Sequence, residues 1–201
     1  MRKVLIILLI IPVLAFTQTT KALDFVAPMY DGVAAIKKDN SWGFVNDKGA
    51  IIIDFRNDLV LTKFDDGRYP IFKDGRCLIS EKKAGITYFG YIDKKGETII
   101  QPKFLNASNF DNDKALVLHV IKEKLGKNEL LGKNIVYHRY YEVTIDTDGN
   151  IKDFLNPKGI NIALDKKFLR TPPKITSEKI SNNLYAVLDE NKKWSIVSIN
   201  N

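Results

Sequence analysis

The chain has 201 residues, with 31 lysines and arginines against 24 acidic residues and a formal charge of +7. At 45% apolar and 27% charged residues the composition is that of a folded globular chain, and it excludes a disordered or low-complexity one. One cysteine, Cys77, excludes an internal disulfide framework and a cysteine-cluster metal site, and two histidines leave little for a histidine-rich one.

Met1-Arg2-Lys3 is a short basic start, and the 13 residues Val4 to Phe16 are all apolar. A bilayer core takes roughly 20 residues, so this run is too short to span it. Followed by Thr17, Gln18, Thr19 and Thr20, it reads as a cleavable signal peptide over residues 1–20, with its boundary between 15 and 22. Ala15-Phe16-Thr17 and Thr20-Lys21-Ala22 both place small residues at suitable offsets. A buried N-terminal element and an uncleaved anchor are the competing readings. No cysteine follows the run, so no lipid attaches there. The expectation is an exported protein, periplasmic, outer-surface associated or secreted, with no stable membrane insertion after cleavage. Cleavage removes Arg2, Lys3 and Lys21 and leaves +4, or +5 if it precedes Lys21. The remaining lysines are dispersed in pairs beside acids and turn glycines, without the basic, aromatic-interleaved element of a nucleic-acid binder.

Residues 23–201 read as a single repetitive domain. Asp31 to Phe55 (DGVAAIKKDNSWGFVNDKGAIIIDF) aligns with Asp74 to Phe104 (DGRCLISEKKAGITYFGYIDKKGETIIQPKF). Each opens Asp-Gly, alternates as a strand, turns, and reaches an aromatic-Gly-aromatic triplet, Trp42-Gly43-Phe44 or Phe89-Gly90-Tyr91. A Lys-Gly turn and an isoleucine run follow. Short strands separated by Gly, Asn and Asp turns are a hairpin signature. Gly43 and Gly90 stand inside strands, where glycine normally weakens pairing. The expected reason is a ring from a neighbouring strand lying across the bare backbone.

These units resemble the WG-repeat family. The first copy matches its pattern at Gly32, Ala34, Ile36, Trp42, Gly43, Phe44, Val45 and Gly49. The second matches at Gly75, Cys77, Ile79, Gly90, Tyr91, Ile92, Asp93, Gly96, Ile99, Ile100 and Pro102, with Phe89 in place of tryptophan. The resemblance implies a β-hairpin repeat protein, commonly bacterial and often exported, without established catalytic chemistry.

A third copy opens at Phe110 to Val120 and resumes at Tyr141 to Ile151, with Glu142-Val143 where the aromatic-Gly pair belongs. A fourth runs from Leu184 to Asn200, with Trp194-Ser195 in that place, and stops before a third strand. The fold expected is all-β, an array of three-stranded antiparallel hairpin or meander repeats forming a twisted sheet or an open barrel-like stack. The repeats cover approximately 25–57, 69–104, 110–154 and 183–200. Residues 155–182 are a connector broken by Pro172-Pro173, with a turn or two of helix over Ile162 to Leu169.

Candidate sites are few. Asp146-Thr147-Asp148-Gly149-Asn150 begins like a calcium loop, but its sixth and twelfth positions are Ile151 and Pro157, so it reads as a hairpin turn. Lys122 to Asn134 reads as the tip of an extended hairpin centred between Asn128 and Glu129, which sets His119 opposite His138. Facing pairs approach within about 5 Å, and Glu123 or Glu142 lies near enough to assist, so the histidines are weak metal candidates against the plainer reading of an exposed pair. Cys77 occupies a position filled elsewhere by Ala34 and Ala115, and reads as a buried apolar residue. Tyr137, His138, Arg139, Tyr140 and Tyr141 form an aromatic and basic cluster suited to a protein or glycan contact. Alternation puts Tyr137 and Tyr141 on one face and Tyr140 on the other.

No catalytic set and no cofactor motif is visible. The expected function is an exported, non-catalytic binding module at the cell envelope, with an envelope protein or glycan as partner. The alternative is a hydrolase of an envelope polymer, which requires converging carboxylates.

Overall fold

A computed structural model describes residues 22–128, 132–189 and 191–199; the N-terminal segment read as a signal peptide lies outside them. Strands β1 (Phe25–Tyr30), β2 (Val33–Lys38), β3 (Ser41–Asn46) and β4 (Ile51–Arg56) form a four-stranded antiparallel sheet in chain order. A ribbon of β5 (Thr62–Phe64) and β6 (Gly67–Tyr69) leads to a second four-stranded sheet of β7 (Phe72–Lys73), β8 (Arg76–Lys83), β9 (Ile86–Ile92) and β10 (Thr98–Phe104). The third sheet holds β11 (Ala115–Asn128), β12 (Lys133–Ile145) and β13 (Ile151–Phe154), with β14 (Ile160–Ile162) also on β12. The last is β15 (Glu178–Ser181), β16 (Leu184–Leu188) and β17 (Trp194–Ser198).

The chain is therefore all-β, built as small antiparallel sheets, with no helix and no closed barrel among the described residues. The first two sheets have four strands rather than three, because β1 and β7 precede the Asp-Gly turns. Residues 155–182 hold two strands, β14 and β15. Ile162 to Leu169 is not helical; it leaves β14 and makes one turn, in which the Asp165 carbonyl accepts the Phe168 and Leu169 N–H groups at 3.0 Å.

Two devices recur among the units. In the first three units the opening hairpin turns through two residues of positive φ, Asp31-Gly32 (52° and 80°), Asp74-Gly75 (49° and 72°) and Asn112-Asp113 (53° and 58°), the geometry that matches strand twist. The later turn of each unit is closed by one side-chain oxygen. Asn46, Asp93, Asp146 and Asp189 each accept, on Oδ1, the N–H groups two and four residues ahead, at 2.7–3.1 Å. This Asx geometry occurs four times and marks four units.

The units share their cores. Cys77 and Ile79 of β8, with Ile92 of β9, pack with Phe44, Ile53 and Phe72 against the first sheet. Leu78, Phe89 and Tyr91, on the opposite face of the same sheet, pack with Phe104, Phe110 and Val143 against the third. Burial on both faces explains why Cys77, Leu78 and Ile79 of β8 are apolar in succession, as are Tyr91 and Ile92 of β9. Neighbours are also tied by polar contacts at equivalent places. The Asp31 carboxylate accepts the Gly75 N–H at 2.7 Å, and the Asp74 carboxylate accepts the Asp113 N–H at 2.9 Å. Such nearest-neighbour stacking is solenoid construction.

The strand glycines have a different reason from the one expected. A Cβ on Gly43 would stand 2.8 Å from the Ile53 carbonyl oxygen, and one on Gly90 2.3 Å from that of Ile100. Backbone, not a ring, occupies the space. The facing strand bulges there: between Trp42↔Arg56 and Phe44↔Ile53, and between Phe89↔Phe104 and Tyr91↔Ile100, the outer strand carries extra residues. In the third unit, Val143 replaces glycine and pairs directly with Phe154; the irregularity moves to Thr144/Ile145.

Candidate contact site on the third hairpin

The second hairpin of a unit varies in length. In the first unit it ends at Lys38↔Ser41, and in the second it grows by two residues per strand to Lys83↔Ile86. Growth by two on each side preserves which face every residue occupies. In the third unit the equivalent hairpin continues past His119↔Tyr141 to Asn128↔Lys133, so residues 120–128 and 133–140 form one long extension. Strands β11 and β12 stay paired along it, and β14 lies beside β12 from Ile162↔His138 to Ile160↔Tyr140. Beyond His138, toward Lys133, no described strand covers that edge of β12.

The register separates the two histidines. His119 faces Tyr141 and His138 faces Lys122, so they lie on opposite faces of the hairpin. The strands continue further than a centre at Asn128/Glu129 allows, and the register shifts between Lys124 and Gly126. His119 is half-buried against the Phe104 ring, 6.2 Å between centroids, and burial together with nearby Lys103 lowers its pKa. Among the described residues, no three His, Cys, Asp or Glu side chains converge as a metal site.

The two glutamates are engaged elsewhere. Glu142 is buried; its carboxylate accepts the Thr176 N–H and hydroxyl and the Ser177 N–H, each at 2.8 Å. It fastens the segment before β15 to β12. Glu123 accepts the hydroxyls of Tyr137 and of Tyr141, the latter at 3.1 Å. The Tyr137 bond foremost holds the Glu123 carboxyl below its usual range and raises the Tyr137 phenol.

Tyr137, Arg139 and Tyr141 share a face with Glu123. The Arg139 guanidinium stacks 5.3 Å from the Tyr137 ring centroid and donates through Nε to Asn161 Oδ1 at 2.9 Å and through Nη1 to the Lys158 carbonyl at 3.4 Å. Tyr141 is buried against Phe154, edge to face, while Tyr140 is half-buried on the opposite face with Leu118 and Leu169. An open cleft of ≈ 490 Å³ lies where β14 stops, lined by Tyr137, His138, Arg139, Asn161, Ile162 and Ala163. Asn161 and Ile162 were not singled out by sequence, because only the pairing of β14 with β12 brings them there.

The remaining candidates are placed as follows. Trp42 is buried edge-on to Phe25, and Phe89 is buried between the second and third sheets. Trp194 is 56% exposed on β17, unlike its counterpart Trp42. The Cys77 thiol has no solvent exposure, and burial pushes its pKa well up.

A family model described as WG containing repeat matches residues 42–77 and 89–119. Both stretches begin on the aromatic before the strand glycine and end on the first long strand of the next unit, so each spans a seam between sheets. No curated protein and no solved structure matches the chain.

Proposed function

From a chain that belongs to the WG-repeat family, we propose a non-catalytic binding module that works at the cell envelope through the cleft on its third hairpin. The observation that carries this reading is the cleft's fixed polar lining. Arg139 is held by Tyr137, Asn161 and Lys158, and Tyr137 by Glu123, so ring and guanidinium are set in place before a ligand arrives. An aromatic face beside several donors in a cleft of ≈ 490 Å³ suits a few sugar units or an extended peptide segment. Preorganised side chains reduce the ordering cost of binding. Extensions of one repeat are also where repeat proteins carry their contact surfaces.

Export supports the envelope as the place of action, and rests on the basic start and the 13-residue apolar run. Intact-mass measurement of the protein recovered outside the cytoplasm decides it; the full 22.9 kDa chain there overturns cleavage.

The binding test is thermal stabilisation by soluble envelope glycan fragments or envelope protein extract. Stabilisation is expected with the parent chain and with His119 and Cys77 replaced, and is expected to vanish in Tyr137→Ala. The competing hydrolase reading requires two converging carboxylates. Turnover of an envelope polymer that disappears in Glu123→Gln would establish the hydrolase and overturn the binding module.

A further inference from the structure

The second unit's hairpin extension carries a separate surface. Lys82 on β8 and Gly85 in the β8–β9 turn line an open cleft of ≈ 560 Å³ with Lys166, Lys167 and Arg170. Residues far apart in the chain thus place four cations around one space. A Cβ on Gly85 would stand 3.0 Å from the Lys166 Cβ, so the lysine stem rests against this turn. The facing acids are few: Glu81 pairs with Lys83 at 3.0 Å, and Asp165 accepts the Lys167 N–H at 2.7 Å. None of the four cations is within ion-pair distance of a carboxylate among the described residues.

Phe168 stands in the same turn and is 67% exposed. Its neighbour Leu169 is buried with Ile86, Leu105 and Leu118, and this anchor directs Phe168 outward. The Lys167 ammonium lies over its ring, 5.6 Å from the centroid. Phe168 belongs to none of the buried core clusters. An exposed aromatic with one lysine over its ring, in the same turn as the cations that line the cleft, matches an interface where anionic headgroups lie above acyl chains: the lysines meet phosphates while the ring enters the boundary.

We propose that the turn from Asp165 to Arg170, with Lys82, docks the protein reversibly on an anionic lipid surface. A soluble phosphate-bearing ligand offers the same charges but has no place for Phe168, so the lipid is favoured. This surface is distinct from the aromatic cleft and does not depend on what fills that cleft.

Each cation near an anionic bilayer is worth about fivefold in partitioning, so Lys166→Ala with Lys167→Ala is expected to weaken vesicle binding about 25-fold. Phe168→Ser is expected to weaken it about tenfold. The test is co-sedimentation of the full protein with vesicles of equimolar phosphatidylglycerol and phosphatidylcholine, against phosphatidylcholine alone, with melting curves for every variant. Binding only to the anionic vesicles, reduced by salt and by both variants at unchanged melting, supports the proposal. Tyr137→Ala is expected to bind vesicles like the parent, which separates this surface from the cleft. Absence of vesicle binding, or binding indifferent to both variants, overturns it. So does displacement by inorganic pyrophosphate or a short DNA duplex with no effect of Phe168→Ser, which would assign the cations to a soluble anion.

Discussion

A β-carbon has no room at Gly43 or Gly90 because the neighbour is a carbonyl oxygen on a bulged strand, which cannot rotate aside as a ring can. Gly43→Val is expected to cost about 1–3 kcal/mol by urea denaturation. Gly90→Ala, with the shorter approach, is expected to cost more than Gly43→Ala; equal melting of those two would contradict the bulge account. The motif was legible in the sequence but its cause was not, since the crowding atoms belong to a partner strand whose bulge has no residue signature of its own. The Asx turns offer the reverse case. Glycine takes the positive φ at 49, 96 and 149, but Lys192 takes it in the fourth turn, at 59°. An L side chain is strained there by about 1–2 kcal/mol, part of which glycine returns as unfolded-chain entropy. Lys192→Gly is therefore expected to stabilise by about 0.5–1 kcal/mol, read as a higher urea midpoint. Asp146 adds a pH dependence. Burial raises its carboxyl pKa, but hydrogen bonds from the Asn150 side chain and Lys152, with the backbone N–H groups of Asn150 and Asp148, outweigh burial and hold it at about 2. A folded pKa below the ordinary 3.8 gives stability that is complete above pH 4 and is lost as the pH falls toward 2. Asp146→Asn keeps the turn, as Asn46 does in the first unit, and its urea midpoint is expected to change less than the parent's between pH 4 and 2.

At the level of the element, hairpin length sets where side chains meet. The existence of the long hairpin and the split of its tyrosines between faces were readable, because alternation along a strand survives an error in the turn. The cross-strand partner of each histidine was not, because any displacement of the turn slides all pairs together. β14 was missed for a related reason: Ile160–Ile162 is three residues long, too short for a period, and becomes a strand only because β12 supplies an edge. The hairpin's distal part is expected to be dispensable for folding. Lys124 and Val136 are exposed, and Glu123↔Tyr137 is in register to flank a two-residue turn. Replacing 124–136 by Asn-Gly is expected to shift stability by no more than about 0.5 kcal/mol. A loss of several kcal/mol in urea denaturation would show that the distal strands support the array.

Across the whole molecule, the sheets depend on one another in sequence, each lending a face to the next. This arrangement was foreshadowed by the internal repeat but not by any single unit, whose apolar alternation cannot say which neighbour lies on which side. Stability should accordingly be distributed as seams rather than as one centre. The sole cysteine sits in the first of these seams, on β8 and packed toward the first sheet, without access to water. A thiol in that place registers exposure: an alkylating reagent reaches it only while the first two sheets stand apart. At reagent concentrations where labelling is slower than closing, the modification rate of Cys77 is expected to report the fraction of molecules in which that seam is open, and to rise in Gly43→Val while remaining near the parent rate in Lys192→Gly. The protein thus carries an internal gauge of how far its own layers stand apart at equilibrium, readable by mass spectrometry without any engineered label.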